Sequence, residues 1–294
     1  MILLADSGST KTDWCSITKL DKRTEEQKRT DEFIKTQYSQ VQTQGINPVV
    51  METDSILRIL YKELLPQLPV QAIESVYFYG AGCTSAKSII LKNCLKKVFG
   101  EQVHIEVYSD LLGAARALCG HTPGIACIMG TGSNSGFYDG DKIAQHTPSL
   151  GYILGDEGSG AYLGKCLING VLKKQLPADI CRDFLNETQL IQEEVIDCVY
   201  RKPKANRFLA GFAPFIAKNR SHPAIQKLLN DAFSTFIQRN LTDYPTKLPV
   251  HATGSIAYVF KEELTNALKE QGYTPGNIEQ SPMKGLITFH TMRK

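Results

Sequence analysis

Apolar residues along the chain keep two rhythms. Short apolar runs over 2–5, 14–17, 74–79 and 103–108 are bounded by polar turns and predict strands, with a further strand expected near 32–36. Between them apolar residues recur every three or four positions, which predicts helices over 53–65, 85–98 and 111–119. In the first of these Ile56, Leu57, Leu60, Leu64 and Leu65 share a stripe, and Thr53 or Asp54 can cap it. Strands separated by helices imply an α/β sheet with parallel pairs.

The opening pattern then returns. The apolar strand 2–5 leads into Asp6-Ser7-Gly8-Ser9-Thr10-Lys11-Thr12 before a strand resumes. The apolar strand 124–129 leads into Gly130-Thr131-Gly132-Ser133-Asn134 before a strand through Phe137-Tyr138. Strand, Ser/Thr-Gly-Ser, strand, repeated roughly 120 residues apart, is the mark of a duplicated domain. Helices dominate afterwards, over 159–172, 193–199, 208–218 and 223–240, followed by a strand over 250–253 and a helix over 256–271. The domains are expected at 1–118 and 119–294, with the final segment from Pro282 packing back on the first.

Composition narrows the classes. A hydrophobic content of 42% supplies a globular interior, and the net charge of +3 is close to neutral. No Lys/Arg cluster is interleaved with aromatics, so nucleic acid is not the expected partner. The mixed-sign run over 19–32 reads as a solvated hairpin tip. No apolar run is long enough to span a bilayer. The eight cysteines are scattered, with no Cys-x-x-Cys and no His pair at ligand spacing, which argues against structural zinc. Reduced thiols and the absence of a leader pattern predict the cytoplasm. A homodimer fits, but no residue requires it.

A tight hairpin of Gly, Ser and Thr exposes backbone N–H groups and hydroxyls without bulk, a concavity suited to phosphate oxygens. Two of them, one per domain half, suit a nucleotide. Asp6 beside the first can orient a hydrated Mg²⁺, or merely cap the turn. Two other phosphate signatures fail. There is no G-x-x-x-x-G-K-[ST]. Tyr79-Gly80-Ala81-Gly82-Cys83-Thr84-Ser85 has serine where a dinucleotide fingerprint needs its third glycine. Asp110, between a strand and a helix, is poised evenly between helix N-cap and proton acceptor. Asn47, in Gly45-Ile46-Asn47-Pro48, can donate and accept at once, or serve only as a pre-proline turn residue. Asp156 and Glu157 open a helix, where acids also favour the macrodipole. Of the histidines only His146, between the second hairpin and the Gly151 loop, draws attention. The lone Trp14 reads as core.

The ordered set Asp6-Ser7-Gly8-Ser9-Thr10-Lys11-Thr12-Asp13, Gly130-Thr131-Gly132-Ser133-Asn134 and Ala252-Thr253-Gly254-Ser255-Ile256-Ala257 resembles the two phosphate motifs and the adenosine motif of the acetate and sugar kinase/Hsp70/actin superfamily. Gly45-Ile46-Asn47-Pro48, Ser109-Asp110-Leu111-Leu112-Gly113-Ala114-Ala115 and Gly151-Tyr152-Ile153-Leu154-Gly155-Asp156-Glu157-Gly158-Ser159-Gly160 add a likeness to its N-acetylglucosamine kinase family.

The resemblance implies an α/β chain of two ribonuclease-H-like (actin-like ATPase) domains hinged around a cleft. It implies ATP and Mg²⁺ as cofactors and a sugar phosphorylated at its 6-hydroxyl, with Asp110 as base. ATP would meet Ser9, Thr10, Lys11, Gly130, Thr131, Gly132, Gly211, Gly254 and Ser255. The sugar would meet Asn47, Asp110, Ser133, Asn134, Gly151, Tyr152 and Asp156, and the metal Asp6. Lys11 on a hairpin can equally point to solvent, and Gly211 can serve plain helix packing. Tyr258, Val259 and Phe260 are bulkier than the adenosine motif prefers, and Tyr108-Ser109 lacks the asparagine usual before the base. Two rivals remain: an ATPase coupled to a partner protein, like the 2-hydroxyacyl-CoA dehydratase activators, whose cluster-ligating cysteines have no counterpart here, and a non-catalytic sugar sensor.

Overall fold

The computed structural model describes residues 1–8, 10–19, 36–68 and 73–291. Ser9, the run over 20–32 and the expected strand residues 32–35 lie outside them. The chain divides into two compact units, Met1–Ala117 with Pro282–Lys294, and Leu118–Ser281.

The first unit is built on β1 (Ile2–Ser7), β2 (Lys11–Lys19), β3 (Thr36–Gln44), β4 (Ser75–Gly80) and β5 (His104–Ser109), in the order β3-β2-β1-β4-β5. β1, β2 and β3 are antiparallel, while β4 and β5 run parallel to β1. Alternate residues of a strand face opposite ways, and both faces are apolar here. Leu3, Ala5, Trp14, Val76 and Phe78 pack under α1 (Thr53–Ile59) and α2 (Ser85–Phe99). Leu4, Cys15, Ile17 and Tyr79 pack with Met283 and Leu286 of α13 (Met283–Thr291), which lies against β1 and β2. A sheet covered on both faces explains the unbroken run Ile2-Leu3-Leu4-Ala5. Trp14 is fully buried, edge-on to Phe78, and its indole N–H donates to Thr43 Oγ1 at 3.0 Å. α3 (Asp110–Cys119) follows β5 with no intervening residue.

The second unit repeats the topology. β6 (Gly124–Met129), β7 (Ser133–Tyr138) and β8 (Ile143–Thr147) are antiparallel, and β9 (Pro249–Thr253) and β10 (Thr274–Glu279) extend the sheet in parallel, in the order β10-β9-β6-β7-β8. Each sheet therefore runs third, second, first, fourth, fifth strand, so the sequence repeat is a repeat of fold. Its core gathers Ile125, Cys127 and Met129 of β6 with α5 (Gly160–Leu172) and α10 (Pro223–Asn240). α4 (Gly151–Leu154), α6 (Ala178–Thr188) and α7 (Gln192–Tyr200) complete this part of the unit.

Two expected helices are each broken. The stretch 208–218 is divided between α8 (Ala205–Ala210) and α9 (Ala213–Lys218), which part at Gly211, whose N–H bonds both Arg207 O and Phe208 O. The stretch 256–271 becomes α11 (Ser255–Val259) and α12 (Lys261–Glu270). They part at Phe260, which is fully buried and leaves Tyr258 and Val259 exposed. All eight cysteines are free. Among the described residues, no helix is long and apolar enough to cross a membrane.

Candidate functional site

In the first unit the pairing register sets Ser7, Gly80 and Ser109 side by side at the carboxyl ends of three parallel strands. Open α/β sheets bind ligands at this edge. Asp6, Asn47, Gly82 and Asp110 belong to it or to the loops leaving it.

The hydroxyls of the first hairpin divide into two jobs. Ser7 and Thr12 are buried and face inward. Their oxygens lie 2.7 Å apart, and the Ile46 N–H donates to both, at 3.0 and 3.2 Å. Ser7 Oγ donates back to Ile46 O at 2.9 Å, and Gly45 N–H donates to Thr10 O at 3.2 Å. These two hydroxyls strap the Asn47 loop to the hairpin, whereas Thr10 is exposed and available to a ligand. The Lys11 ammonium is ion-paired with Asp13 at 2.9 Å.

Asn47 Oδ1 accepts from Val49 N–H at 2.9 Å, so the turn role foreseen for it is real. The side chain lies directly against Gly82: with φ of +75°, a Cβ there would collide with Asn47 Oδ1. The Asn47 amide nitrogen donates to no described residue, so it is the part left to bind.

Asp110 opens α3. Its Oδ1 accepts from its neighbour Leu111 N–H at 2.8 Å, while Ser109 Oγ accepts from Leu112 N–H at 3.2 Å. Ser109 thus occupies the capping position. Burial pushes the Asp110 carboxyl above its ordinary range, opposed by the Leu111 N–H. Asp6 is pushed up to about 7, first by burial, then by the negative fields of Asp13 and Asp110, with Lys11 pulling the other way. Its carboxylate accepts no hydrogen bond from a described residue.

In the second unit the loop 130–132 is closed by Gly130 N–H to Gly132 O at 2.9 Å. It is braced by the start of α5, where Gly160 N–H donates to Gly130 O at 2.8 Å and Ala161 N–H to Thr131 O at 3.1 Å. Gly160 also sits within contact range of Ala210 and Ile256, so α8, α11 and this loop converge there. Gly211 lies exposed just beyond Ala210, and Ser255 is exposed at the start of α11. Gly254 joins β9 to α11 with φ of +113°, and a Cβ would strike the Met129 carbonyl oxygen. That backbone conformation is almost confined to glycine. Gly254→Ala is expected to cost at least about 1–3 kcal/mol, read as a lowered thermal midpoint.

Asp156 adopts φ of +55°, and its Oδ1 accepts from Ser133 N–H at 3.4 Å. Burial raises its pKa, with the Ser133 N–H opposing. Ser133 Oγ is buried and donates to Glu157 O at 2.8 Å, which commits its hydrogen inside the loop. Glu157 is more than a helix-end charge: it is buried, and its carboxylate meets Arg239 Nη1 at 3.0 Å. Asn134 Oδ1 accepts from Ser135 N–H and lies 2.8 Å from His146 Nε2. Gly151 takes φ of +74°, and the Tyr152 ring packs on the core of its unit.

Two further hydroxyls, of Ser149 and Thr253, join these loops without a mark in the sequence. Ser149 Oγ donates to Ser133 O at 3.1 Å, tying the approach to α4 to the second hairpin. Thr253 Oγ1 is buried at the end of β9 and finds no partner among the described residues. A serine in a loop and a threonine in a strand carry no signal of such placement. Among the described residues, no three His, Cys, Asp or Glu side chains converge as a metal group.

No protein-family model matches the chain, and no curated protein matches it. Solved structures do. A candidate N-acetylglucosamine kinase from Porphyromonas gingivalis is 47% identical, covers 99% of this chain and 98% of its own, and superposes with a TM-score of 0.90. A candidate N-acetylglucosamine kinase from Chromobacterium violaceum is 16% identical over 98% of each chain, with a TM-score of 0.68. A ROK family glucokinase from Streptomyces griseus, in complex with glucose and AMPPNP, is 14% identical over 98% of this chain and 97% of its own, with a TM-score of 0.52. The last two are alike in fold.

Proposed function

The chain belongs to the N-acetylglucosamine kinase family of the actin-like ATPase and sugar kinase superfamily and is a sugar kinase, and from that premise we propose that it phosphorylates N-acetylglucosamine at the 6-hydroxyl with ATP. The observation that carries this reading is the edge of the first sheet. There the desolvated Asp110 follows the strand-end row Ser7-Gly80-Ser109, with Asp6 just before Ser7 and the Asn47 side chain against Gly82 in the loop leaving β4.

Transfer of a phosphoryl group needs in-line positioning, neutralised charge and an acceptor for the hydroxyl proton. Asp110 is that acceptor. Asn47 and Asp156 hold sugar hydroxyls, and Thr10, Thr131 and the N–H groups of the two hairpins hold phosphates. Gly254, Ser255 and Gly211 border the nucleoside. Asp6 fits Mg²⁺: it is crowded by like charge and lacks a hydrogen-bond donor, and Mg²⁺ is commonly held by one or two carboxylates with waters and phosphates. Mg²⁺ bound there would neutralise charge on the phosphates.

A coupled ADP-release assay over N-acetylglucosamine, glucosamine, glucose and N-acetylmannosamine tests the reading. The expected result is release dependent on N-acetylglucosamine, with the phosphorus resonance of the product coupled to the C6 protons. Release indifferent to every sugar would assign the chain to the partner-coupled ATPases instead.

A further inference from the structure

We propose that His146 is a positioning residue that locks the Asn134 amide with its nitrogen presented to the sugar, so that this position selects a group that accepts hydrogen bonds. The inference rests on the kinase reading above and deepens it.

The lock follows from hydrogen-bond polarity. The Ser135 backbone N–H can only donate, and it donates to one terminal atom of the Asn134 amide at 2.9 Å, so that atom is the oxygen. The same oxygen lies 2.8 Å from His146 Nε2. His146 must therefore carry its proton on Nε2 and donate. One backbone N–H thus fixes both the amide orientation and the imidazole tautomer. The strand register makes the contact available: His146 pairs with Gly136, so Asn134 is its diagonal neighbour on the same face. Glycine between them leaves the imidazole room to reach across.

With two donors on its oxygen, Asn134 has only its nitrogen left for a ligand, and that nitrogen donates to no described residue. An N–H₂ group pairs with the carbonyl of an acetamido group and with a hydroxyl oxygen. It opposes a free ammonium, which has hydrogens and no lone pair. The expected order of preference at this position is acetamido, then hydroxyl, then ammonium.

The experiment compares kcat and KM for N-acetylglucosamine and glucosamine in wild type, His146→Ala, His146→Gln and Asn134→Asp, with thermal midpoints for each. His146→Ala is expected to raise KM for N-acetylglucosamine about 5-fold, the effect of one neutral hydrogen bond, with kcat and the glucosamine KM little changed. His146→Gln, whose amide can donate to the same oxygen, should recover most of that loss. Asn134→Asp keeps the acceptor oxygen but puts a second acceptor where the donor was, so its preference should move toward glucosamine. Equal losses for both sugars in His146→Ala, or a change in thermal midpoint alone, would overturn the inference and leave the kinase reading standing. Absence of sugar-dependent ADP release in the wild type would remove the kinase reading, and the inference with it.

Discussion

Asp110→Asn should lower kcat by about 10²- to 10⁴-fold, the usual worth of a positioned general base, with no fall in thermal midpoint. The substitution separates the two readings of this residue. Asparagine is isosteric with aspartate, and its amide oxygen can accept the Leu111 N–H bond that Asp110 accepts at 2.8 Å. It also caps helices about as well as aspartate. Ser109 holds the capping position in either case, through Leu112 N–H at 3.2 Å. A residue that served only the helix would be replaced silently. What asparagine cannot do is take a proton. The substitution also removes a buried charge that raises the pKa of Asp6, so stability should hold or rise. Sugar-dependent turnover within tenfold of wild type, at an unchanged KM for ATP, would take the role of base away from Asp110.

Much of this edge was legible in the sequence because backbone geometry leaves marks. Gly8, Gly130 and Gly132 sit where a strand must reverse, and an apolar run before each turn identifies the strand. Asp110 stands directly between a strand and a helix with no intervening residue, a spacing that suits a cap and a base equally, and only the family resemblance favours the base. Side-chain commitments left no such marks. Ser7 and Thr12 look like ligand hydroxyls by residue type, and only the backbone of Ile46, 39 and 34 positions away, reveals that they serve the Asn47 loop. β8, Ile143–Thr147, escaped because its middle residues, Ala144, Gln145 and His146, are exposed and show no apolar alternation. β10, Thr274–Glu279, escaped because Pro275 and Gly276 imitate a turn, while a bulge between Pro275 and Ile278 absorbs them. The continuous helix expected over 256–271 failed at Phe260, where burial of one ring outweighed helical periodicity. Tertiary packing decided each of these, and packing is not local.

Acid should weaken the first unit through His290, by about 3 kcal/mol between pH 6.5 and pH 4. On the face of the sheet opposite α1 and α2, Arg116 Nη1 donates to Tyr79 Oη at 3.0 Å, and Tyr79 Oη lies 2.8 Å from His290 Nε2. The guanidinium can only donate, so the phenol accepts from it and offers its own hydrogen to His290 Nε2 when that nitrogen carries no proton. Tyr77 stacks on the imidazole at 4.1 Å between centroids and Phe289 lies beside it, while Glu106, paired with Tyr77 across the sheet, lies 3.6 Å from His104. Burial first, then the Arg116 charge, lowers the His290 pKa from 6.5 to about 4. A histidine whose pKa falls on folding binds its proton more readily in the unfolded chain. Its contribution is therefore complete above pH 6.5 and is lost as pH falls toward 4. Asp6, raised to about 7, acts with the opposite sign over much of the same range, so the raw pH profile of the wild type would understate the effect. His290→Gln resolves the two, since its amide oxygen can still accept from Tyr79 and does not titrate. Denaturant unfolding at a series of pH values should show wild type losing stability relative to His290→Gln as pH falls from 6.5 to 4. Parallel curves for the two proteins would mean that His290 keeps its proton equilibrium on folding.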